Sequence, residues 1–178
     1  MGWTSTPSTD YDGDGCQDNS EDDDKDNDGV DDDDDDCATG SLNWISSSTT
    51  DNDGDGCEDA GEDGDDDNDG ILDGSDECPA GDVGWSPSST TDYDSDGCRD
   101  AGEDTDDDND GVADGSDLCE KGLLNWGSNP TTDVDGDGCH DAVEDSDDDN
   151  DGTSDSSDNC PVDANANQNN YDFDSLGD

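Results

Sequence analysis

Apolar positions are thin along this chain and never gather into a run. In each stretch of some forty residues, large apolar side chains are limited to one Trp and a few Val, Ile or Leu. No segment is long enough to span a bilayer, and so little apolar area cannot hold a packed core. The pattern carries order of a different kind. Trp3, Trp44, Trp85 and Trp126 stand 41 residues apart, and so do Cys16, Cys57, Cys98 and Cys139, and Cys37, Cys78, Cys119 and Cys160. No insertion or deletion breaks four copies. A strict period predicts stacked units that touch only their neighbours: 1–41, 42–82, 83–123 and 124–164, with 165–178 opening a further, truncated repeat. Each unit begins with a Ser/Thr/Pro-rich stretch around its Trp, such as GWSPSSTT at 84–91, and continues into two acidic halves.

The acidic halves carry the chemistry. In the first half of unit two, Asp51, Asp53, Asp55, Gly56, Cys57, Asp59 and Glu62 fill positions 1, 3, 5, 6, 7, 9 and 12 of the D-x-D-x-D-G-x5-E calcium loop. Alternate Asp side chains at 1, 3 and 5 aim at one ion, and Gly at 6 permits a sharp turn. The carbonyl of residue 7 becomes a ligand, position 9 contributes directly or through water, and the acid at 12 closes the shell. The same set recurs as Asp10, Asp12, Asp14, Cys16, Asp18 and Glu21, then as Asp92, Asp94, Asp96, Cys98, Asp100 and Glu103, and as Asp133, Asp135, Asp137, Cys139, Asp141 and Glu144. The second half repeats the spacing with Asp at position 12: Asp65, Asp67, Asp69, Ile71, Asp73 and Asp76 in unit two. Its counterparts are Asp24, Asp26, Asp28, Val30, Asp32 and Asp35, then Asp106, Asp108, Asp110, Val112, Asp114 and Asp117, and Asp147, Asp149, Asp151, Thr153, Asp155 and Asp158. A chance run of Asp would not place Gly at position 6 eight times. Helix-flanked hands are not expected. Gly61 lies between ligand positions, and position 8 holds Gln17, Glu58, Arg99 and His140 where paired hands want an apolar residue. The predicted fold is irregular, with little regular secondary structure, organised by Ca²⁺ and disulfides into an elongated array. His140 reads as a solvent-facing side chain.

Charge sharpens this picture. The chain has 60 acidic residues against three basic ones, a formal charge of −57. By composition alone it belongs with disordered polyacids, but such a chain has no reason to keep Trp and Cys in register. Five carboxylates in each of eight loops account for 40 of the 60 acids. Ten like-charge pairs about 6 Å apart repel by about 7 kcal/mol per loop even in water, and a divalent ion at the centre reverses the sign. Eight such ions would take the formal charge from −57 to about −41. Direct binding to nucleic acid or anionic membrane is excluded, since phosphate would be repelled. The acids left over, such as Asp66, Asp107 and Asp148, either bridge neighbouring sites or face water.

These residues resemble the thrombospondin type 3 repeats, whose pattern is tandem D-x-D-x-D-G-x-x-D-x-x-D loops often closing on D-N-C-P. DGSDECP at 73–79 and DSSDNCP at 155–161 are similar to that ending. CPVDANANQ at 160–168 is similar to the family's C-P-x-x-x-N-x-x-Q linker, and would make Asn170, Asp172, Asp174 and Asp178 the start of a ninth loop. The resemblance covers nearly the whole chain and implies a calcium-replete string of loops. The Trp stretch and the Cys at loop position 7 depart from the vertebrate pattern, where that Cys falls later. The 41-residue unit looks like the variant found in large prokaryotic surface proteins, so partners such as collagen or integrins are not carried over. Spacing leaves two cysteine pairings open: Cys16 to Cys37 within a unit, or Cys37 to Cys57 between units. The resemblance implies the second, with Cys78–Cys98 and Cys119–Cys139, which leaves partners for Cys16 and Cys160 outside these four units.

Eight Cys point to an oxidising, extracellular or cell-surface setting. Met1 is followed at once by repeat sequence, which reads as a piece of a longer secreted protein. No nucleophile, phosphate loop or carboxylate in an apolar pocket suggests an enzyme. The expected function is structural: a calcium-stabilised stalk, spacer or filament of a surface protein, holding about eight or more Ca²⁺ and contacting itself or neighbouring repeats. The alternatives are an adhesin-type module that uses its Trp-bearing faces, and an acidic calcium buffer or mineral-binding protein. Each Trp either packs on the adjacent disulfide and the apolar residue at loop position 7, or is a contact point for another chain. The Ser/Thr stretches read either as bare polar loops or as carriers of O-linked glycans.

Overall fold

The computed structural model describes residues 3–169. Asn170, Asp172, Asp174 and Asp178, where the ninth loop would start, lie outside the described residues. Within them the backbone is made of turns and bends, with no helix and no strand, and no helix is long and apolar enough to cross a membrane. The chain divides into two compact units: Met1–Pro87 with Asp96–Arg99, and Ser88–Ser95 with Asp100–Asp178.

What stands in for a core follows from the composition. The only buried apolar side chains among the described residues are Cys57, Cys98 and Cys139. Leu118, Leu72 and Val143 are each about two-thirds exposed, while the side chains most completely shut from solvent are Asp26, Asp28, Asp51, Asp67, Asp92, Asp108 and Asp133. The interior of this fold is made of disulfides and carboxylates.

Disulfides join Cys37 to Cys57, Cys78 to Cys98 and Cys119 to Cys139. This is the inter-unit pairing that the resemblance implied; Cys16 and Cys160 are not bonded. Beside each bridge a backbone hydrogen bond ties the same two loops: Asp36 N to Asp55 O at 2.8 Å, Glu77 N to Asp96 O at 2.9 Å, and Leu118 N to Asp137 O at 2.8 Å. The glycine at position 6 of the incoming loop is required here for space as well as for its turn. At Gly56, Gly97 and Gly138 a Cβ would fall 2.1–2.3 Å from Oδ1 of Asp35, Asp76 and Asp117, the last ligand position of the preceding loop, and all three glycines have positive φ.

Within a repeat the two loops are tied by one Asn. Asn27, Asn68, Asn109 and Asn150 occupy position 4 of the second loop in the left-handed region, φ 52–59°, a conformation Asn adopts more readily than most residues. Their side-chain amides reach back to the first loop: Asn27 to Asp12, Asn68 to Asp53 and, at 2.9 Å, to Asp55, Asn109 to Asp94, and Asn150 to Asp137 at 3.1 Å. In the Trp stretch, Trp44 Nε1 donates to Ser41 O at 2.8 Å, and Ser46 N to Asp28 O at 2.8 Å. The stretch is thereby laid over the second loop. Its Trp residues are half-buried apart from Trp3, which is 37% exposed.

Candidate metal centres

Every loop is shaped by its own carboxylates before any ion is considered. Oδ1 of the position-5 Asp accepts from the N–H of residue 7 in all eight loops, for example Val30 to Asp28 at 2.7 Å and Cys57 to Asp55 at 3.0 Å. The position-1 Asp accepts from the position-6 glycine, as in Gly29 to Asp24 at 3.1 Å and Gly138 to Asp133 at 3.2 Å. These bonds wrap the backbone around a point and fix one oxygen of each carboxylate. In several of them the second oxygen is buried and accepts no hydrogen bond.

In the loop 24–35, Asp24 Oδ1, Asp26 Oδ1, Asp28 Oδ2 and Asp35 Oδ2 are all buried and accept no hydrogen bond. One oxygen from each of Asp24, Asp26 and Asp28 lies within 4.8 Å of the others, and the same holds for the trios Asp65, Asp67, Asp69 and Asp10, Asp12, Asp14 and Asp51, Asp53, Asp55. Asp65 Oδ1, Asp69 Oδ2 and Asp76 Oδ2 repeat the unpartnered set, as do Asp110 Oδ2 with Asp117 Oδ2, and Asp147 Oδ1, Asp149 Oδ2 and Asp158 Oδ2. A buried carboxylate without a partner is expensive. Burial, and then the fields of the other carboxylates in the same loop, raise Asp35, Asp76 and Asp117 to about 6 from an ordinary 3.8. Converging hard oxygens of like charge suit a cation of the Ca²⁺ class.

Position 1 of the first loops sits in a different setting. Asp51 accepts from the N–H groups of Gly54, Asp55 and Gly56 at 2.7, 3.1 and 3.3 Å. Asp10, which the Ser5 hydroxyl and three similar N–H groups approach, is held below the ordinary carboxylate value.

The structure assigns two positions more specific places than the spacing alone gave. At position 9, Oδ1 accepts the N–H of residue 2 in every loop: Asp18, Asp32, Asp59, Asp73, Asp100, Asp114, Asp141 and Asp155 at 2.8–3.1 Å. At position 12 of the first loop, Glu62 accepts from Glu58 N at 3.2 Å and from Ser41 N at 2.8 Å, reaching the preceding Trp stretch. Beside positions 3 and 5 stands the next residue instead. The field of Asp63 raises both Asp53, to about 6, and Asp55, although burial is the larger cause in each, and Asp145 acts in the same way on Asp135. Asp63 Oδ2 and Asp145 Oδ2 are buried and unpartnered. Sequence reasoning left out this acid, found at Asp22, Asp63, Asp104 and Asp145. The signal was present, since the Glu-Asp pair recurs in all four units.

Of the loop 92–103, Asp96 and Cys98 fall in the first compact unit and the remaining ligand positions in the second; Cys98 N donates to Asp96 at 2.8 Å and Tyr93 N to Asp100 at 2.8 Å. His140 departs from the sequence reading. Its ring lies 4.7 Å from that of Trp126, its Nδ1 accepts from Ala142 N at 3.1 Å, and it is half-buried. The apolar face of an imidazole offers Trp126 a neighbour where the chain has almost no apolar side chain to give.

No protein-family model matches this chain, and no curated protein matches it.

Proposed function

We propose that this protein is an extracellular calcium-binding structural repeat, a stalk, spacer or filament-forming segment of a surface protein whose rigidity comes from ions bound in its acidic loops. The observation that carries the reading is the arrangement at 24–35: four carboxylates, each with one oxygen held by a backbone N–H and the other buried and unpartnered. Ions of +2 charge would turn the dominant repulsion of the molecule into its main cohesion. Three disulfides are consistent with an oxidising compartment. A buffer would need the carboxylates, but it would have no use for a Cys framework linking each repeat to the next.

Extracellular modules of this kind bind calcium at about 10⁻⁴ to 10⁻³ M, which suits permanent saturation outside cells. X-ray scattering with and without chelator tests the reading. The radius of gyration should grow markedly on chelation and return when calcium is restored. An unchanged profile would mean that disulfides alone hold the array.

A further inference from the structure

Three joints inside the chain are built from one set of parts. The outgoing side supplies the position-12 Asp, the N–H of the next residue and the Cys after that. The incoming side supplies the position-5 carbonyl, the position-6 glycine and the position-7 Cys. At one joint, Asp117, Leu118 and Cys119 meet Asp137, Gly138 and Cys139. The disulfide there holds its Cα atoms 5.2 Å apart, Leu118 N donates to Asp137 O at 2.8 Å, and the Asp117 carboxylate lies over the bare face of Gly138. A finished joint is closed to water: Gly56, Gly97 and Gly138 are buried, and Cys57, Cys98 and Cys139 are 6–7% exposed.

Each half of this joint also occurs unmated. In the loop 10–21, Gly15 keeps the positive φ of its counterparts, +101°, yet it is exposed, and nothing lies within 4 Å of where a Cβ would stand. Cys16 is unbonded, and among the described residues no backbone N–H reaches Asp14 O. The outgoing half is Asp158, Asn159 and Cys160. Cys160 is unbonded too, but its two neighbours are engaged by one side chain. Asn159 N donates to Gln168 Oε1 at 2.9 Å, where Leu118 N meets a carbonyl of the next repeat, and Gln168 Nε2 donates to Asp158 Oδ1 at 2.9 Å. Gln168 therefore fills the place that an incoming loop takes at the other joints.

We propose that these halves form an intermolecular joint: residues 158–160 of one copy seat on Asp14, Gly15 and Cys16 of a second copy and are locked by a Cys160–Cys16 disulfide, with Gln168 as a latch that swings out first. A second copy presents the same Asp-x-Cys segment that covers this face at the three internal joints. Repeating the contact is heterologous and builds a head-to-tail fibre. Copies with a formal charge of −57 repel one another, and a covalent link holds them where a weak contact would not. This rests on the filament reading above and names the joint of that filament.

Closing the joint takes two electrons and two protons from two thiols, so it needs an oxidant of the small-molecule disulfide class. The Cys160 thiolate attacks oxidised glutathione, breaking its S–S bond and releasing one glutathione thiolate. The Cys16 thiolate then attacks the mixed disulfide at the Cys160 sulfur and releases the second.

The full chain in saturating calcium, with reduced and oxidised glutathione, tests the proposal on non-reducing gels and by mass spectrometry of unreduced digests. A ladder of multimers is expected, with linked peptides that join Cys16 to Cys160. Cys16→Ser and Cys160→Ser should each stop the ladder, and the two variants mixed should give a dimer and nothing larger. Gln168→Ala should speed the ladder about fivefold, the worth of one released hydrogen bond; an unchanged rate would overturn the latch. Links that are mainly Cys16–Cys16 or Cys160–Cys160, a Cys16–Cys160 bond within one chain, or a chain that stays monomeric would overturn the joint. Scattering without oxidant, with and without chelator, reads the calcium account separately: compaction by calcium with no ladder sinks the joint alone, and a Cys16–Cys160 ladder with no compaction sinks the calcium reading alone.

Discussion

The second loops of repeats two and four have the same ligand spacing and different surroundings. In the loop 65–76, Asp67 and Asp69 are buried, Gly81 N donates to Asp67 at 2.9 Å, and Asp76 lies against Gly97 of the next repeat. In the loop 147–158 the corresponding Asp149, Asp151 and Asp158 are half-exposed. The cover there comes from the linker: Asn165 N donates to Asp151 at 2.9 Å, and Gln168 Nε2 to Asp158 at 2.9 Å and to Asp151 at 3.3 Å. Spacing alone thus makes a loop that turns its unpartnered oxygens inward, and what the next repeat adds is cover over the whole carboxylates, as at Asp67, Asp69 and Asp76. Coulombic attraction grows as water is excluded, so the covered loops should bind calcium more tightly than the last one.

The contact at the covering glycine is where this comparison breaks most severely. A Cβ at Gly138 would overlap the Asp117 carboxylate and sit at φ +89°. Gly138→Ala should therefore cost about 4 kcal/mol through lost packing and strain and empty the loop 106–117. Gly152→Ala, with φ +93° and nothing within 4 Å, should cost about 1–2 kcal/mol. Calcium titrations followed by tryptophan fluorescence compare the two, and equal losses would show that cover is unimportant.

Opening the bridge beside that glycine comes next. The Cys119–Cys139 disulfide closes a loop with sequence separation 20, for which about 3 kcal/mol of stabilisation is expected. Cys119→Ser with Cys139→Ser should lower the midpoint of denaturant unfolding in calcium, and should weaken the loop 106–117 before the loop 147–158.

Acid should separate the loops by proton competition. Asp35, Asp76 and Asp117 are raised by burial to about 6, above the ordinary 3.8. A raised carboxylate stabilises the metal-free fold below about pH 4 and loses that contribution as pH rises through 6. The calcium form needs the ionised group, and its affinity falls over the same window as pH drops. One such group implies about a tenfold loss between pH 7 and 5, measurable by calorimetry.

The smallest effect belongs to the linker. Gln168→Ala removes two side-chain bonds from the last loop and should weaken it about fivefold, or about 1 kcal/mol. The other loops should be untouched, as hydrogen exchange at their residue-7 amides would report.

The sequence made the local part of this account legible. The eight loops, the absence of flanking helices and the 41-residue unit follow from residue types at fixed intervals, because ligand spacing and turn chemistry act within twelve residues. The resemblance supplied the disulfide pairing that spacing left open. What escaped was contact across intervals. Gly56 is readable as a turn residue, but its lack of a side chain also makes room for Asp35, twenty-one residues earlier. Position 9 is readable as acidic, but the direction of its second oxygen depends on the neighbouring loop. Asp63 was passed over because the loop template stops at position 12, and His140 was read as exposed because its partner, Trp126, lies in the preceding stretch.

The central claim is that buried, unpartnered carboxylate oxygens converge on calcium. A crystal of the chain grown in calcium, with data collected for the anomalous signal of that ion, tests it most directly. The account predicts a peak in each of the eight loops, and in the loop 24–35 a peak about 2.3–2.6 Å from Asp24 Oδ1, Asp26 Oδ1, Asp28 Oδ2 and Asp35 Oδ2. Ordered loops with no peak at those oxygens would contradict it.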